Sequence, residues 1–160
     1  MTIAVGDTIP DVTVQIPTPD GPKPAQTSDL LGKGRVVLFG VPGAFTPTCS
    51  DHHLPGFVLR ADDLGAKGVD TIACMSVNDA FVMGAWGESQ GVGESVVLIA
   101  DGSAVFTKAL GIELDLSGGG LGIRCRRFAA ILEDGVVKEL SLEQGGALEV
   151  SSADAVLAKL

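Results

Sequence analysis

Three short runs rich in apolar residues constrain the fold of this chain more than any other feature. They are Arg35–Gly40, Val69–Val77 and Ser95–Ala100. Strands that are buried on both faces of a parallel sheet have this composition. Segments with helical spacing follow the first and the second run. The order strand, helix, strand, helix, strand therefore predicts parallel strands joined by helical crossovers.

The two ends of the chain predict antiparallel additions to this sheet. Residues 7–27 hold five of the eight prolines, with a turn signal at Asp20-Gly21, which favours a hairpin over a helix. Asp134-Gly135 separates two further strand-like runs, Arg127–Glu133 and Val136–Leu142. We therefore predict an α/β fold with a mixed central sheet flanked by helices and an N-terminal hairpin extension. Residues 1–160 are predicted to form a single domain.

The charge and cysteine content restrict the partners and the compartment. The net charge is −9, which disfavours nucleic acid and anionic membrane surfaces as partners. No apolar stretch approaches the roughly 18 residues that span a bilayer. The first residues show no basic region followed by an apolar segment, and the three cysteines are widely spaced. We therefore expect a cytoplasmic protein with free thiols rather than a disulfide framework.

Several common kinds of site do not fit the sequence. The glycine-rich segment 118–122 follows no strand of a nucleotide-binding unit, so a flexible loop is expected there. Cys49, His52 and His53 are close together, but a structural zinc site needs four ligands and no second pair is present. A Cys–His hydrolase would need a third residue to orient the histidine, and none is identifiable. We expect neither a metal nor a cofactor.

The position of Cys49 indicates a reactive thiol. A buried strand ends at Gly40, a loop with two prolines follows, and Cys49 lies where the next helix is predicted to begin. The unpaired N–H groups of a helix N-terminus favour thiolate over thiol. Dithiol oxidoreductases carry C-x-x-C at such a junction, whereas Thr46 occupies the first cysteine position here. Cys49 therefore has no partner sulfur within the same turn.

These residues resemble a known family. Pro42, Thr46 and Cys49 form P-x-x-x-T-x-x-C, which is the active-site motif of peroxiredoxins, and PGAFTPTCS followed by residues 53–57 resembles the type II (Prx5) subfamily. The similarity extends over nearly the whole chain from about Val5. The resemblance implies a thioredoxin-like fold. It also implies reduction of hydrogen peroxide and alkyl hydroperoxides by a peroxidatic cysteine, Cys49, which becomes a sulfenic acid.

The resemblance also implies the roles of the neighbouring residues and the partners. Thr46 would hydrogen-bond the peroxide and the thiolate, Pro42 would shield the sulfur from water, and Arg127 would be the active-site arginine. A guanidinium suits that role because it stabilises both the thiolate and the charge on the leaving oxygen. The implied reductant is an external thiol, namely glutathione with glutaredoxin, or thioredoxin. The implied assembly is a homodimer. The alternative is a non-enzymatic chaperone or redox-signalling partner with the same fold.

Two further cysteines are candidate resolving residues. Cys74 lies in an apolar run and is expected in the core, although plant-type members of the subfamily carry a cysteine near this position. Cys125 lies between Arg124 and Arg126, and we expect it at the surface, where basic neighbours favour its thiolate. Residues 149–152 lack the resolving cysteine of animal-type members. We therefore expect Cys49 to rely on an external thiol.

Overall fold

A mixed seven-stranded sheet forms the centre of the computed structural model, which describes residues 1–160. Its strands are β1 (Thr13–Ile16), β2 (Lys23–Gln26), β3 (Arg35–Gly40), β4 (Thr71–Ser76), β5 (Val97–Ala100), β8 (Phe128–Glu133) and β9 (Val136–Leu142). They are ordered β2-β1-β5-β4-β3-β8-β9 across the sheet. A separate two-stranded sheet pairs β6 (Glu113–Asp115) with β7 (Ile123–Cys125).

The pairing directions confirm the predicted mixture of parallel and antiparallel strands. The three apolar runs form β3, β4 and β5, which pair in parallel at the centre. On one side β8 is antiparallel to β3 and continues through the Asp134-Gly135 turn into β9. On the other side the N-terminal hairpin of β1 and β2 adds to β5 in antiparallel orientation. The result is a thioredoxin-like α/β fold with the predicted hairpin extension.

Six α-helices cover the two faces of the sheet unequally. They are α1 (Thr27–Leu31), α2 (Leu54–Leu59), α3 (Ala61–Ala66), α4 (Ala80–Ser89), α5 (Val105–Leu110) and α6 (Ala153–Leu157). One apolar cluster joins the sheet to α2, α3, α4 and α6, and it includes Cys49, Cys74 and Trp86. The cluster on the opposite face packs the sheet against α1 and α5, and it includes Cys125. We call these the catalytic face and the opposite face.

Local signals set most element boundaries, and a few differ from the sequence prediction. The Asp79 side chain caps α4 by accepting a hydrogen bond from the Val82 N–H at 2.8 Å. The predicted strand from Arg127 begins one residue later, so Arg127 lies in the link between β7 and β8. The Ser152 side chain caps the C-terminal helix α6 by accepting a hydrogen bond from the Ala155 N–H at 3.1 Å. None of the helices combines the length and the apolarity that crossing a membrane requires.

Candidate active site

The helix that carries Cys49 begins with an irregular turn. Residues Cys49–His53 form a π-helical turn, in which the Leu54 N–H donates to the Cys49 carbonyl, and α2 follows directly. Single π-helical turns of this kind occur frequently at functional sites. Cys49 and His53 both point into the interior, with exposed fractions of 0% and 1%. The turn therefore brings a thiol and an imidazole to the same buried side of the helix.

Two side chains from neighbouring elements fix the loop before Cys49. The Asn78 Oδ1 atom accepts hydrogen bonds from the Ala44 N–H at 2.9 Å and from the Ser76 hydroxyl at 2.5 Å. The indole N–H of Trp86, in α4, donates to the Ser50 hydroxyl at 2.9 Å. The Asn78 side chain therefore holds the loop before Cys49, and the Trp86 side chain holds the first helical turn after it.

Arg127 brings a positive charge to the Cys49 sulfur. Its Nη2 atom lies 3.4 Å from Cys49 Sγ, and its Nη1 atom lies 3.0 Å from His53 Nδ1. The side chain is buried, with 4% of the residue exposed, and its Nε–H has no hydrogen-bond partner. A buried guanidinium stabilises an adjacent thiolate more strongly than a solvated one because the local dielectric is low.

The contacts of His53 fix its tautomer and its charge. Its Nε2 atom lies 2.9 Å from the Ser151 carbonyl, which can only accept a hydrogen bond, so Nε2 carries the proton. The Nδ1 atom is then free to accept from Arg127. Burial is the main cause of a His53 pKa of about 4; the hydrogen bond that His53 donates to the Ser151 carbonyl opposes this shift, and the Arg127 charge adds to it. The neutral imidazole thus orients the guanidinium and leaves its positive charge intact, whereas a carboxylate in the same place would neutralise that charge.

Thr46 and Pro42 lie in the loop before Cys49, and the Thr46 hydroxyl makes a different contact from the expected one. The Thr46 hydroxyl donates to the Gly43 carbonyl at 2.7 Å, so its proton is not directed at the Cys49 sulfur. The Thr46 oxygen lone pairs stay free to accept a hydrogen bond. The Pro42 carbonyl accepts from Arg124 Nη1 at 3.3 Å. A Cβ on Gly43 would approach that nitrogen to 2.8 Å, so a larger residue there would displace the end of the Arg124 side chain.

Comparison with known proteins identifies the family. Residues 4–157 match the family model described as Redoxin. The chain is 56% identical to Peroxiredoxin-2E-2, chloroplastic, of Oryza sativa subsp. japonica, over 99% of this chain and 73% of the relative. It is 50% identical to Peroxiredoxin-2B of Arabidopsis thaliana, over 99% of this chain and 98% of the relative. The chain belongs to the peroxiredoxins.

A solved structure supports the same assignment. The reduced Prx3 of Vibrio vulnificus in complex with H2O2 superimposes with a TM-score of 0.94 at 51% identity, covering 99% of each chain. The chain is therefore an enzyme, a thiol-dependent peroxidase, as the sequence motif predicted, and not the non-enzymatic module of the alternative. Its placement in the type II (Prx5) subfamily stays a prediction.

Of the two remaining cysteines of this peroxiredoxin, Cys74 lies where expected. It is fully buried in β4, in the apolar cluster of the catalytic face that also contains Cys49. Burial raises the pKa of the Cys74 thiol well above its ordinary value. Because all three cysteines are free and buried, a Cys49–Cys74 disulfide requires local movement of the backbone or of the surrounding side chains.

The expectation for Cys125 was wrong. Cys125 is fully buried on the opposite face, and its Sγ donates to the Arg126 carbonyl at 3.0 Å. Burial, and next to it the negative charge of Asp101, raise the pKa of the Cys125 thiol, whereas the flanking arginines were expected to favour its thiolate. Successive side chains of a strand point to opposite faces, so a residue between two outward arginines points inward. That alternation was the available signal for its burial.

The contact between His53 and Arg127 was not predicted from the sequence, which pointed to His53 only as a candidate metal ligand or hydrolase base. In the structure, no group of three or more His, Cys, Asp or Glu side chains is arranged to hold a metal ion. The signal for its true place was its spacing: His53 lies four residues after Cys49 on a predicted helix, so both share one face. No comparable signal pointed to Ser151, whose contact with His53 spans 98 residues of sequence.

Proposed function

We propose that Cys49 is the peroxidatic nucleophile of this enzyme. Its thiolate sulfur attacks one oxygen of a hydroperoxide, an S–O bond forms as the O–O bond breaks, and the departing oxygen takes a proton to leave as water or an alcohol. The sulfur is oxidised to a sulfenic acid while the peroxide is reduced. The observation that carries this proposal is the Arg127 Nη2 atom, 3.4 Å from Cys49 Sγ at the start of a helix.

The other three residues have distinct roles in this proposal. Arg127 stabilises the thiolate and the negative charge that develops on the leaving oxygen, and its unpartnered Nε–H is a further donor. The Thr46 oxygen, whose own proton is on the Gly43 carbonyl, accepts the O–H of the peroxide and so orients it. Pro42 covers the sulfur against water.

We propose that hydrogen peroxide and alkyl hydroperoxides are substrates and that the reductant is an external thiol. The Vibrio vulnificus relative in complex with H2O2 supports the smaller substrate. The raised pKa values of the Cys74 and Cys125 thiols support an external reductant, because a protonated thiol attacks a sulfenic acid slowly. One thiol condenses with the sulfenic acid to release water, and a second thiol displaces Cys49 from the mixed disulfide. Glutathione with glutaredoxin is the expected pair, and thioredoxin is the alternative. The free cysteines fit a reducing compartment such as the cytoplasm.

A coupled assay tests the substrate and the reductant together. Peroxide consumption is measured with glutathione and glutaredoxin, or with thioredoxin and its reductase, each with hydrogen peroxide and with an organic hydroperoxide. We expect turnover with the glutaredoxin pair. Intact mass after one equivalent of peroxide, with a sulfenic-acid trap, is expected to show a trappable sulfenate. Rapid loss of two hydrogens with no trapped species would instead assign a resolving role to Cys74 or Cys125.

We also propose a homodimer whose interface includes the loop before Cys49. Phe45, in that loop, is 56% exposed and has a φ of 64°, a costly conformation for a bulky residue. Phe81, in the first turn of α4, is 74% exposed and follows closely after Asn78, which binds the same loop. Exposed apolar groups of this size favour a protein contact. Light scattering is expected to show a dimer that Phe81→Asp dissociates, whereas Leu59→Asp, at the end of α2, leaves it intact.

A further inference from the structure

One carboxylate oxygen at the end of β9 collects an unusual number of donors. Glu143 Oε2 accepts hydrogen bonds from the backbone N–H groups of Glu149, Val150 and Ser151 at 2.7–2.9 Å. It also accepts the Ser151 hydroxyl at 2.7 Å. Only 3% of Glu143 is exposed. Its carboxylate therefore fixes the position of the segment 149–151, which carries no catalytic group of its own.

These contacts are part of a closed ring of hydrogen bonds that begins and ends at Arg127. The Glu143 N–H donates to the Arg127 carbonyl at 3.0 Å, and the Glu143 carboxylate holds Ser151. The Ser151 carbonyl accepts from His53 at 2.9 Å. His53 Nδ1 accepts from the Arg127 guanidinium at 3.0 Å. Glu143 thus holds the main chain of Arg127 directly and its side chain through two intermediates.

The ionised form of Glu143 suits this arrangement. Burial alone raises the pKa of Glu143, but the hydrogen bonds from Ser151, Glu149 and Val150 outweigh it and hold the pKa below its ordinary value. A carboxylate that accepts several N–H groups is stabilised as the anion. Charge-assisted hydrogen bonds are also stronger than neutral ones. The ionised Glu143 carboxylate therefore holds the segment 149–151 more tightly than a neutral glutamine amide would.

We propose that Glu143 is a positioning residue for peroxide reduction, which holds the Arg127 guanidinium against Cys49 Sγ through Ser151 and His53. The inference rests on the proposed roles of Cys49 and Arg127. Since the ring leaves Arg127 Nη2 directed at the sulfur, loosening Ser151 releases His53 and lets the guanidinium turn away. A displacement of about 1 Å in a catalytic group costs up to roughly 100-fold in rate.

The first test compares two acidic residues of the same region. The second-order rate constant for oxidation of Cys49 by hydrogen peroxide is measured in single turnover, which separates it from recycling. We expect Glu143→Gln to lower this constant about 10–100-fold. Glu139→Gln removes the same charge from an exposed side chain on β9 and is expected to leave the constant unchanged. Equal rates for the wild type and Glu143→Gln would overturn the proposal.

A double-mutant cycle tests whether Glu143 acts through His53. His53→Leu keeps an apolar contact with the stacked rings of Phe39 and Phe57 but cannot accept from Arg127. If both residues act on one ring, the double variant is no slower than His53→Leu alone. If the fold-losses in rate of the two single variants multiply in the double variant, Glu143 and His53 act independently, which would contradict the proposed path.

A spectroscopic readout separates positioning from general stability. Imidazole ¹⁵N NMR is expected to show the Nε2–H tautomer at His53, with slow proton exchange, and faster exchange in Glu143→Gln. His52 is exposed and serves as the internal reference. An unchanged His53 signal in a slow variant would reject the ring as the cause.

Two further variants keep the test decisive. If Glu143→Gln does not fold, Ser151→Ala is the substitute, because it removes one of the four donors to Glu143 but keeps the backbone. We expect a smaller loss of the oxidation rate in the same direction, and no loss would overturn the inference.

Arg127→Gln separates the two proposals. If it slows oxidation and Glu143→Gln does not, only this inference fails. If neither does, the proposed role of Arg127 fails as well.

Discussion

Cys49 and Cys125 are both fully buried, and both have arginine neighbours, yet their surroundings are opposite in kind. Cys49 Sγ lies 3.4 Å from the Arg127 guanidinium at the start of a helix. In the sequence, Cys125 lies at the end of a strand directly between Arg124 and Arg126, but its Sγ donates to the Arg126 backbone carbonyl. The arginine that matters for a thiol is therefore the one that points at it across the fold.

The two faces of the sheet show why the environments differ. The opposite face, around Cys125, is formed by aliphatic and phenylalanine side chains of β3, β8, α1 and α5. The catalytic face contains Cys49 and, beside it, the buried polar side chains of His53 and Arg127. Buried polar groups are tolerated when they are hydrogen-bonded to one another. The catalytic face meets this condition through a network of side chains, whereas near the opposite face the buried Asp101 carboxylate meets it by accepting from the backbone N–H groups of Phe106 and Thr107.

The largest expected effect is the difference in peroxide reduction between the serine variants of these two cysteines. Cys49→Ser is expected to abolish peroxide reduction, because a serine hydroxyl stays protonated and is a poor nucleophile. Cys125→Ser is expected to retain single-turnover oxidation at close to the wild-type rate. The measurement is peroxide consumption together with intact mass after one equivalent of peroxide. Loss of the first oxidation in Cys125→Ser would contradict the contrast between the two thiols.

The next effect sharpens the contrast between two adjacent arginines. Arg127→Gln removes the donor that faces the sulfur and is expected to lower the rate of Cys49 oxidation about 100–1,000-fold, the range for loss of one charge-stabilising donor. Arg126→Gln removes the same charge from the next residue, whose Nη2 binds the Glu143 carbonyl at 3.2 Å, and is expected to change the rate much less. Stopped-flow oxidation of both variants gives the comparison. Similar losses in both would mean that total charge, and not direction, governs the thiol.

Local sequence signals were sufficient for most of the fold and for the placement of Cys49 at a helix start. The run Arg35–Gly40 became β3 with the predicted bounds, and Asp134-Gly135 formed the predicted hairpin turn. Cys49 was predicted to lie at a helix start because a strand and a proline-containing loop directly precede it in the sequence. These features depend on neighbours within a few residues, which is where propensity and periodicity carry information.

The features that the sequence did not reveal depend on distant contacts. The strands β6 and β7 have three residues each, too few for a clear period, and they pair across the glycine-rich loop. The contact between His53 and Arg127 spans 74 residues, and it forms only because β8 pairs next to β3. Strand pairings and side-chain contacts of that kind follow from tertiary packing and not from any local sequence pattern.

A pH titration compares the two histidines at a smaller scale. Burial lowers the pKa of His53 to about 4, below the ordinary value of 6.5. Between pH 4 and pH 6.5, His53 therefore binds a proton in the unfolded chain but not in the folded chain. The His53 contribution to stability is therefore fully present above about pH 6.5 and is lost as the pH falls towards 4, by about 3 kcal/mol. Denaturant unfolding at a series of pH values measures it. His53→Gln is expected to flatten this slope, and His52→Gln, at an exposed site, is expected to keep it.

The smallest effect concerns how the two non-nucleophilic cysteines tolerate a hydroxyl. The Cys125 thiol already donates to the Arg126 carbonyl, so the hydroxyl of Cys125→Ser keeps an acceptor within reach. Cys74 lies among apolar side chains of the catalytic face, and Cys74→Ser buries a hydroxyl without such a partner, at a cost of about 1–3 kcal/mol. The free energy of unfolding in urea is therefore expected to fall further in Cys74→Ser than in Cys125→Ser, while both retain oxidation of Cys49. The reverse order would show that the environment of Cys125 is the less tolerant of the two, and that the hydrogen bond to Arg126 contributes less to the fold than the packing around the sulfur.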